Sequence, residues 1–229
     1  MTVGVMQPYL FPHLGYFQLL SAVDDFWLYD DVQFIKQGYI NRNRLLFGPF
    51  TVPLRAAPHG TIICERQIAE REFAVFRKKW YRSFELAYRN APHHRQALHL
   101  ARMVWDPPTS SIAEQAERSL RVVSDYLGIP TPIRRASEVD YNRRLTGQER
   151  LLDLLTVQRA TTYVNSPGGR SLYQAETFDQ RGIRLRFIQP FTGTLSATAN
   201  NNLSILHLIA HHPQRMLSNE ARNGFTLQS

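Results

Sequence analysis

The stretch Val3-Gly-Val-Met-Gln-Pro-Tyr-Leu-Phe-Pro-His-Leu-Gly-Tyr-Phe-Gln-Leu-Leu20 constrains the fold most, because it reads as strand, tight loop and helix in one pass. Val3 to Met6 is a short apolar run suited to a buried strand, and Pro8 and Pro12 fix a loop that cannot stay in a hydrogen-bonded ladder. A helix is expected from near Leu14, since Leu14, Phe17, Leu20 and Val23 recur at helical spacing. Asp24-Asp25 ends that pattern before a second strand, Phe26 to Tyr29. This is a βαβ opening. In open α/β sheets ligands collect where strand ends meet helix starts, so Gln7, Tyr9, His13 and Tyr16 are expected to crowd one crevice. The competing reading is that the prolines only shape a loop and the aromatic rings pack; the stretch alone leaves both open.

A chain of 229 residues buries a proper core as one domain, or as a domain with an appended helical part. Its formal charge of +8, mostly from arginine, suits anionic partners such as nucleotides, phosphopantetheine, acidic carrier proteins or nucleic acid, without choosing among them. The arginines are scattered over expected helices, so most read as a solvated basic surface. Cys64 is the only cysteine, which excludes an intramolecular disulfide and a cysteine-based metal cluster and fits a reducing compartment. With no basic leader before an apolar core and no window long enough to span a bilayer, the expectation is a cytoplasmic protein without a membrane span.

After the second strand, residues 30–44 interleave polar and large apolar side chains, as segments at a site do. Leu45 to Phe47 and Phe50 to Leu54 read as a hairpin turning at Gly48-Pro49, and Thr61 to Ile68 as another strand holding Cys64. Cys64 has no evident base beside it, so a buried or edge thiol is the preferred reading over a nucleophile. From Glu72 to Trp105 the pattern is helical. Its stripe Phe73, Phe76, Trp80, Phe84 and Tyr88, broken by basic residues, suits inward packing better than a grip on nucleic acid or a carrier protein. Ser111-Ile-Ala-Glu114 opens a further helix ending at Gly128, and residues 72–127 read as a helical insertion or lid. A second α/β portion is expected: strands near Ile133, at Thr161 to Val164 and at Ile183 to Ile188, with Thr146-Gly-Gln-Glu149 as a capping box. Asn165-Ser-Pro-Gly-Gly-Arg-Ser171 is a loop with backbone donors at Gly168 and Gly169 and a cation at Arg170, but not a Walker motif. Leu203 to Ala210 reads as an apolar helix after the polar loop 196–202.

His207 and His211 lie one helical turn apart, yet there is no His-Glu-x-x-His and no cysteine pair, and His93-His94 point apart; no metal site is assigned. Pro12-His13-Leu14-Gly15-Tyr16 resembles the His-x-Gly-His signature of nucleotidylyl transferases and their amide-forming relatives. Tyr16 stands where they carry the second, phosphate-binding histidine, and no second signature of theirs is present.

A closer resemblance covers nearly the whole chain. Met6-Gln-Pro-Tyr9, Leu14-Gly-Tyr-Phe17, Asp30-Asp-Val-Gln-Phe34, Asn41-Arg-Asn-Arg44 and Thr51-Val-Pro53 resemble the successive N-terminal motifs of the WbqC-like family. Leu127-Gly-Ile129, Gly147-Gln-Glu-Arg-Leu151, Tyr163, the Pro167-Gly-Gly169 loop and Leu203-Ser-Ile-Leu206 resemble its C-terminal ones. Two positions depart from it: His207, where the family commonly has Asp, and Thr194-Leu-Ser-Ala197, where it has an aromatic-plus-Gln motif. The resemblance implies a role in attaching an acyl or aminoacyl group in sugar-antigen or natural-product biosynthesis. The intact N-terminal motifs draw the candidate site to that end.

The expectation is an α/β fold with a Rossmann-like, mainly parallel sheet, a β-hairpin insertion and a central helical insertion, forming a single domain over residues 1–229. The expected activity is transfer of an acyl or aminoacyl group from a thioester-type donor to an amine of a small intermediate. The alternatives are an ATP-dependent ligase or nucleotidyltransferase, and a non-catalytic partner of a carrier protein or glycosyltransferase. Amide formation needs a base, donors for the oxyanion and groups that orient both reactants. The candidate catalytic residues are His13, Asp31 and Gln33. The candidate substrate-binding residues are Gln7, Tyr9, Tyr16, Arg42, Asn43, Arg44, Gly168 and Gly169. No cofactor is assigned; the expected partners are a small-molecule amine and an acyl or peptidyl carrier protein, with no specific nucleic acid.

Overall fold

A computed structural model of the chain describes residues 1–191, 195 and 203–229. The opening stretch forms β1 (Thr2–Met6), a loop bounded by Pro8 and Pro12, α1 (Leu14–Ser21) and β2 (Asp25–Leu28). An antiparallel hairpin follows, β3 (Arg42–Leu45) and β4 (Gly48–Thr51). Three helices come next, α2 (Glu70–Tyr88), α3 (His94–Trp105) and α4 (Ile112–Leu127). The chain returns through β5 (Ile133–Arg135), α5 (Gly147–Val157), β6 (Thr162–Asn165), α6 (Ala175–Asp179) and β7 (Arg184–Pro190). It closes with α7 (Ile205–His211), α8 (Gln214–Asn223) and β8 (Phe225–Gln228).

The six-stranded sheet has the order β5-β2-β1-β6-β7-β8. All neighbours pair in parallel except β7 and β8. From β1 the chain winds outward one way to β2 and β5, then the other way to β6 and β7. The direction reverses between β1 and β6, which opens a crevice at their carboxyl ends. The architecture is mixed α/β with a Rossmann-like, mainly parallel sheet and a small separate hairpin sheet.

Alternation along the strands supplies a core on each face of the sheet. Val3, Val5, Trp27, Tyr163 and Phe187 meet Leu151, Leu152 and Leu155 of α5 and Phe178 of α6. Phe26, Leu28, Val164 and Ile188 face the opposite way, into a larger core with Phe17 and Leu20 of α1 and Leu120 and Val123 of α4. The aromatic stripe of α2 points into this second core: Phe73, Trp80, Phe84 and Tyr88 are all buried. Trp80 stacks on Phe84 with ring centroids 5.1 Å apart, and Phe84 on Tyr88 at 4.5 Å.

Local details differ from the sequence expectations for identifiable reasons. The hairpin turns at Leu46-Phe47, because Leu45 already pairs with Gly48, whose φ of 102° brings the chain straight back. Residues 61–68 form no strand. Hydrogen bonds from Ile63 N to Val32 O (3.0 Å) and from Cys64 N to Asp30 O (2.8 Å) bend them into a 3-10 turn, Ile63–Glu65. Ser111 caps α4 through Glu114 N at 3.2 Å, but Thr146 makes no side-chain cap on α5, where Gly147 at φ 54° takes the first position. The polar loop 196–202 and the departure at 194–197, apart from Leu195, lie outside the described residues. Among the described residues no helix is long and apolar enough to cross a membrane.

Candidate functional site

The carboxyl ends of β1, β2 and β6 and the amino ends of α1 and α5 surround two adjoining lobes of one crevice. The larger, about 620 Å³, is walled by the segment from Val5 to Tyr9, by Tyr29, by Ile40, by Leu151 and by Asn165. The smaller, about 320 Å³, lies against His13, Gly15 and Leu19. Met6, Tyr9, Tyr16, Tyr39 and Ser166 border both. Among the described residues, none lining the larger lobe carries a formal charge.

The loop between β1 and α1 is held against strain. Phe11 is fully buried with φ at 47°, a torsion that costs a bulky residue of order 1–3 kcal/mol. Its N–H donates to Ser119 Oγ at 3.0 Å, and its carbonyl accepts from Asn43 Nδ2 and from Ser204 Oγ. Asn43 Nδ2 also donates to Leu10 O at 2.9 Å. Asn43, a candidate substrate ligand from sequence, is therefore committed to fixing this loop. Tyr16 does similar work from α1, donating its hydroxyl to Gln7 O at 3.0 Å while its ring lines both lobes.

His13 is the N-cap of α1, and its Nδ1 accepts from Gly15 N at 3.1 Å. That bond fixes the tautomer: Nδ1 presents its lone pair and Nε2 carries the proton. A Cβ at position 15 would lie 3.0 Å from His13 Cε1, so glycine leaves room for the ring. His13 is exposed by surface area, yet the protein atoms packed around its ring desolvate it and lower its pKa, so the imidazole is neutral near pH 7 and offers Nε2–H as a donor.

Gly168 and Gly169 lie in a 3-10 turn, Pro167–Leu172, and both line the larger lobe. Gly169 N is already bonded to Ser166 O at 3.0 Å. Arg170 turns to β8, reaching Gln228 Oε1 at 2.9 Å and covering the Phe187 ring at 4.7 Å. The use of Gly169 is steric. A Cβ there would fall 2.5 Å from Asn165 Nδ2, whereas one at Gly168 meets nothing within 4 Å. Asn165 is buried, its Oδ1 accepts from Ser166 N at 2.7 Å, and its Nδ2 has no hydrogen-bond partner among the described residues. Gly169→Ala is expected to cost about 1–3 kcal/mol and to displace the Asn165 amide. Gly168→Ala should stay within about 0.5 kcal/mol of the parent, and urea unfolding of both checks the contrast.

Asp31 does not line either lobe; it is 2% exposed and fully engaged. Both its oxygens accept from Tyr141 Oη at 2.9 Å, and Oδ2 pairs with Arg143 Nε at 2.8 Å and an Arg150 guanidinium nitrogen at 3.1 Å. Arg150 also covers the ring of Tyr29, which lines the larger lobe. Gln33 is exposed beside His59 at 3.5 Å, outside both lobes. Arg42 and Arg44 sit on β3, do not line the crevice, and make no ion pair among the described residues. Of the sequence candidates, the structure brings Gln7, Tyr9, His13, Tyr16, Gly168 and Gly169 together. It adds Tyr29, Tyr39, Gln148, Leu151, Asn165 and Tyr173. Tyr29 and Asn165 were open to inference, since each stands at the carboxyl end of a parallel strand.

Cys64 lies in the turn after the hairpin, half-buried, where desolvation and the nearby Asp30, Glu65 and Asp31 push its thiol up to about 11. A thiol so protonated is a poor nucleophile. Cys64→Ser is expected to keep turnover within about tenfold, roughly 1.4 kcal/mol of barrier, as steady-state rates would record. His207 Nδ1 shares a hydrogen bond with the Tyr88 hydroxyl at 3.1 Å, and desolvation with His211 and His212 pushes its pKa down to about 4. Among the described residues no group of three or more His, Cys, Asp or Glu side chains is disposed to hold a metal ion.

A model of the WbqC-like protein family matches residues 7–218. The chain belongs to the WbqC-like protein family. It is also 32% identical over 189 residues to "Uncharacterized protein Rv1507c" of Mycobacterium tuberculosis, an alignment covering 80% of each chain. No solved structure matches it significantly. In this WbqC-like chain Met6-Gln-Pro-Tyr9 and the Gly168-Gly169 turn border the crevice, while Asn43 and Asp31 of two other family motifs brace its walls.

Proposed function

We propose that this WbqC-like protein transfers an acyl or aminoacyl group from a thioester to the amine of a small sugar or natural-product intermediate within the two-lobed crevice. The observation that carries the reading is an uncharged, tyrosine-rich cavity with donors open to a ligand, among them His13 Nε2–H and Asn165 Nδ2. Such donors stabilise the negative charge that grows on the thioester oxygen as the amine nitrogen attacks. The carbon–nitrogen bond forms, the carbon–sulfur bond breaks, and the departing thiolate takes up the proton that the nitrogen loses. An apolar wall also favours the neutral, nucleophilic amine over its ammonium form. His13 thus acts as a donor, and Asp31 as a positioning residue behind the wall. An acyl or peptidyl carrier protein would deliver the thioester.

A second reading has one observation in its favour: the amino end of α1 faces the smaller lobe, a setting that suits a nucleotide phosphate. Incubating the protein with S-acyl pantetheines and a panel of amines, with and without ATP and magnesium, separates the two. Amine-dependent thiol release with matching amide formation and no need for ATP is the expected result. Amide formation only from free acid and ATP would replace the transferase reading with the ligase one.

A further inference from the structure

We infer that the larger lobe is the subsite for an aliphatic acyl chain of several carbons, with its length limit set at Leu151; this rests on the transfer reading above. The lining residues of the lobe divide into exposed and buried ones. Ile35, Tyr39 and Leu172, at 55%, 66% and 67% exposed, mark the mouth, and Val5, Ile40 and Leu151, at 4%, 2% and 2%, mark the floor. The lobe is therefore apolar at both ends, and none of its described lining side chains is charged.

Its tyrosines supply ring surface. The Tyr16 hydroxyl is spent on Gln7 O, and the Tyr9 ring packs edge-on against Tyr16 and lies 5.1 Å from the Tyr39 ring. Those hydroxyls of a polyhydroxylated ligand that face the rings would lack partners, whereas a hydrocarbon chain forfeits nothing by leaving water. At about 620 Å³ the space is in the range that encloses a ligand of several carbons together with part of its linker. A chain seated on Leu151 points its carbonyl toward the border with the smaller lobe, where His13 stands. The acceptor amine then enters from the smaller lobe.

Isothermal titration with unreactive N-acyl analogues of the pantetheine thioester, from acetyl to palmitoyl, tests this without turnover. Affinity should rise roughly fourfold per added methylene until the lobe is full and then level off. Leu151→Phe should bring the plateau to a shorter chain. If that variant fails to fold, Leu172→Asp at the exposed mouth serves instead, and should weaken the longer probes at least tenfold while the melting temperature holds. Leu86→Asp, on the outer face of α2, should change nothing. Affinity independent of chain length in the parent protein, or long-chain binding untouched by Leu172→Asp, would overturn the subsite. Chain-length-dependent binding without amine-dependent thiol release would keep the subsite and remove the transfer reaction.

Discussion

Asp31→Asn should lower the melting temperature by roughly 6–12 °C, corresponding to about 3 kcal/mol in a chain of this size. Removing one partner of a buried ion pair leaves the other charge uncompensated, and here two guanidiniums converge on one carboxylate that is 2% exposed. The lower end of the usual cost applies because Arg143, at 41% exposed, turns to water more easily than Arg150 at 14%. The loss also reaches the crevice. Asp31 follows β2, and Arg150 belongs to α5, whose Gln148 and Leu151 line the larger lobe; without the carboxylate charge Arg150 keeps only its bond to the Asp31 carbonyl and to Tyr141, and the end of α5 at the lobe is held less firmly. Ligand affinity should therefore fall together with stability. A general base at this position predicts a different pattern, full stability and unchanged affinity with turnover abolished. Differential scanning calorimetry and titration of one variant distinguish the two.

His13→Ala should reduce transfer about 10²- to 10³-fold, the scale for losing one donor to a developing oxyanion. The alanine variant also removes an N-cap, worth about 1 kcal/mol, so a fall in rate alone would be ambiguous. His13→Asn resolves it. Asparagine is among the best N-caps and can still accept from Gly15 N, but it does not reach as far as Nε2 does. The expected result is a normal melting temperature with the rate still lost. Recovery of rate in His13→Asn would make His13 a cap alone and move the oxyanion donor elsewhere, with Asn165 the next candidate.

The β1–α1–β2 unit was legible because two apolar runs, two prolines and a helical repeat fall within 30 residues and need no distant partner. The same topology made the crevice legible, since ligand sites in such sheets form at strand carboxyl ends. The partners of Asp31 were not. Tyr141, Arg143 and Arg150 lie more than 100 residues away in the chain, and nothing local in residues 30–44 points to them. Asn43 shows a second limit. An amide that clamps Leu10 and Phe11 carbonyls has no local signature, because the positive φ that calls for the clamp falls on Phe11, a residue type that rarely adopts it. At Thr146 the capping-box pattern was present, but the positive φ of Gly147 takes the chain out of the geometry that pattern needs.

The location of the donor site is tested most directly by photocrosslinking with an acyl pantetheine thioether that carries a diazirine in its acyl chain, followed by peptide mapping of the adduct. Labelling is expected on the walls of the larger lobe, at Ile40, Leu151 or Leu172, and should be competed away by unlabelled long-chain analogue. Specific, competable labelling elsewhere, such as the separate polar groove between Pro53 and Glu72, with none on those walls, would contradict it.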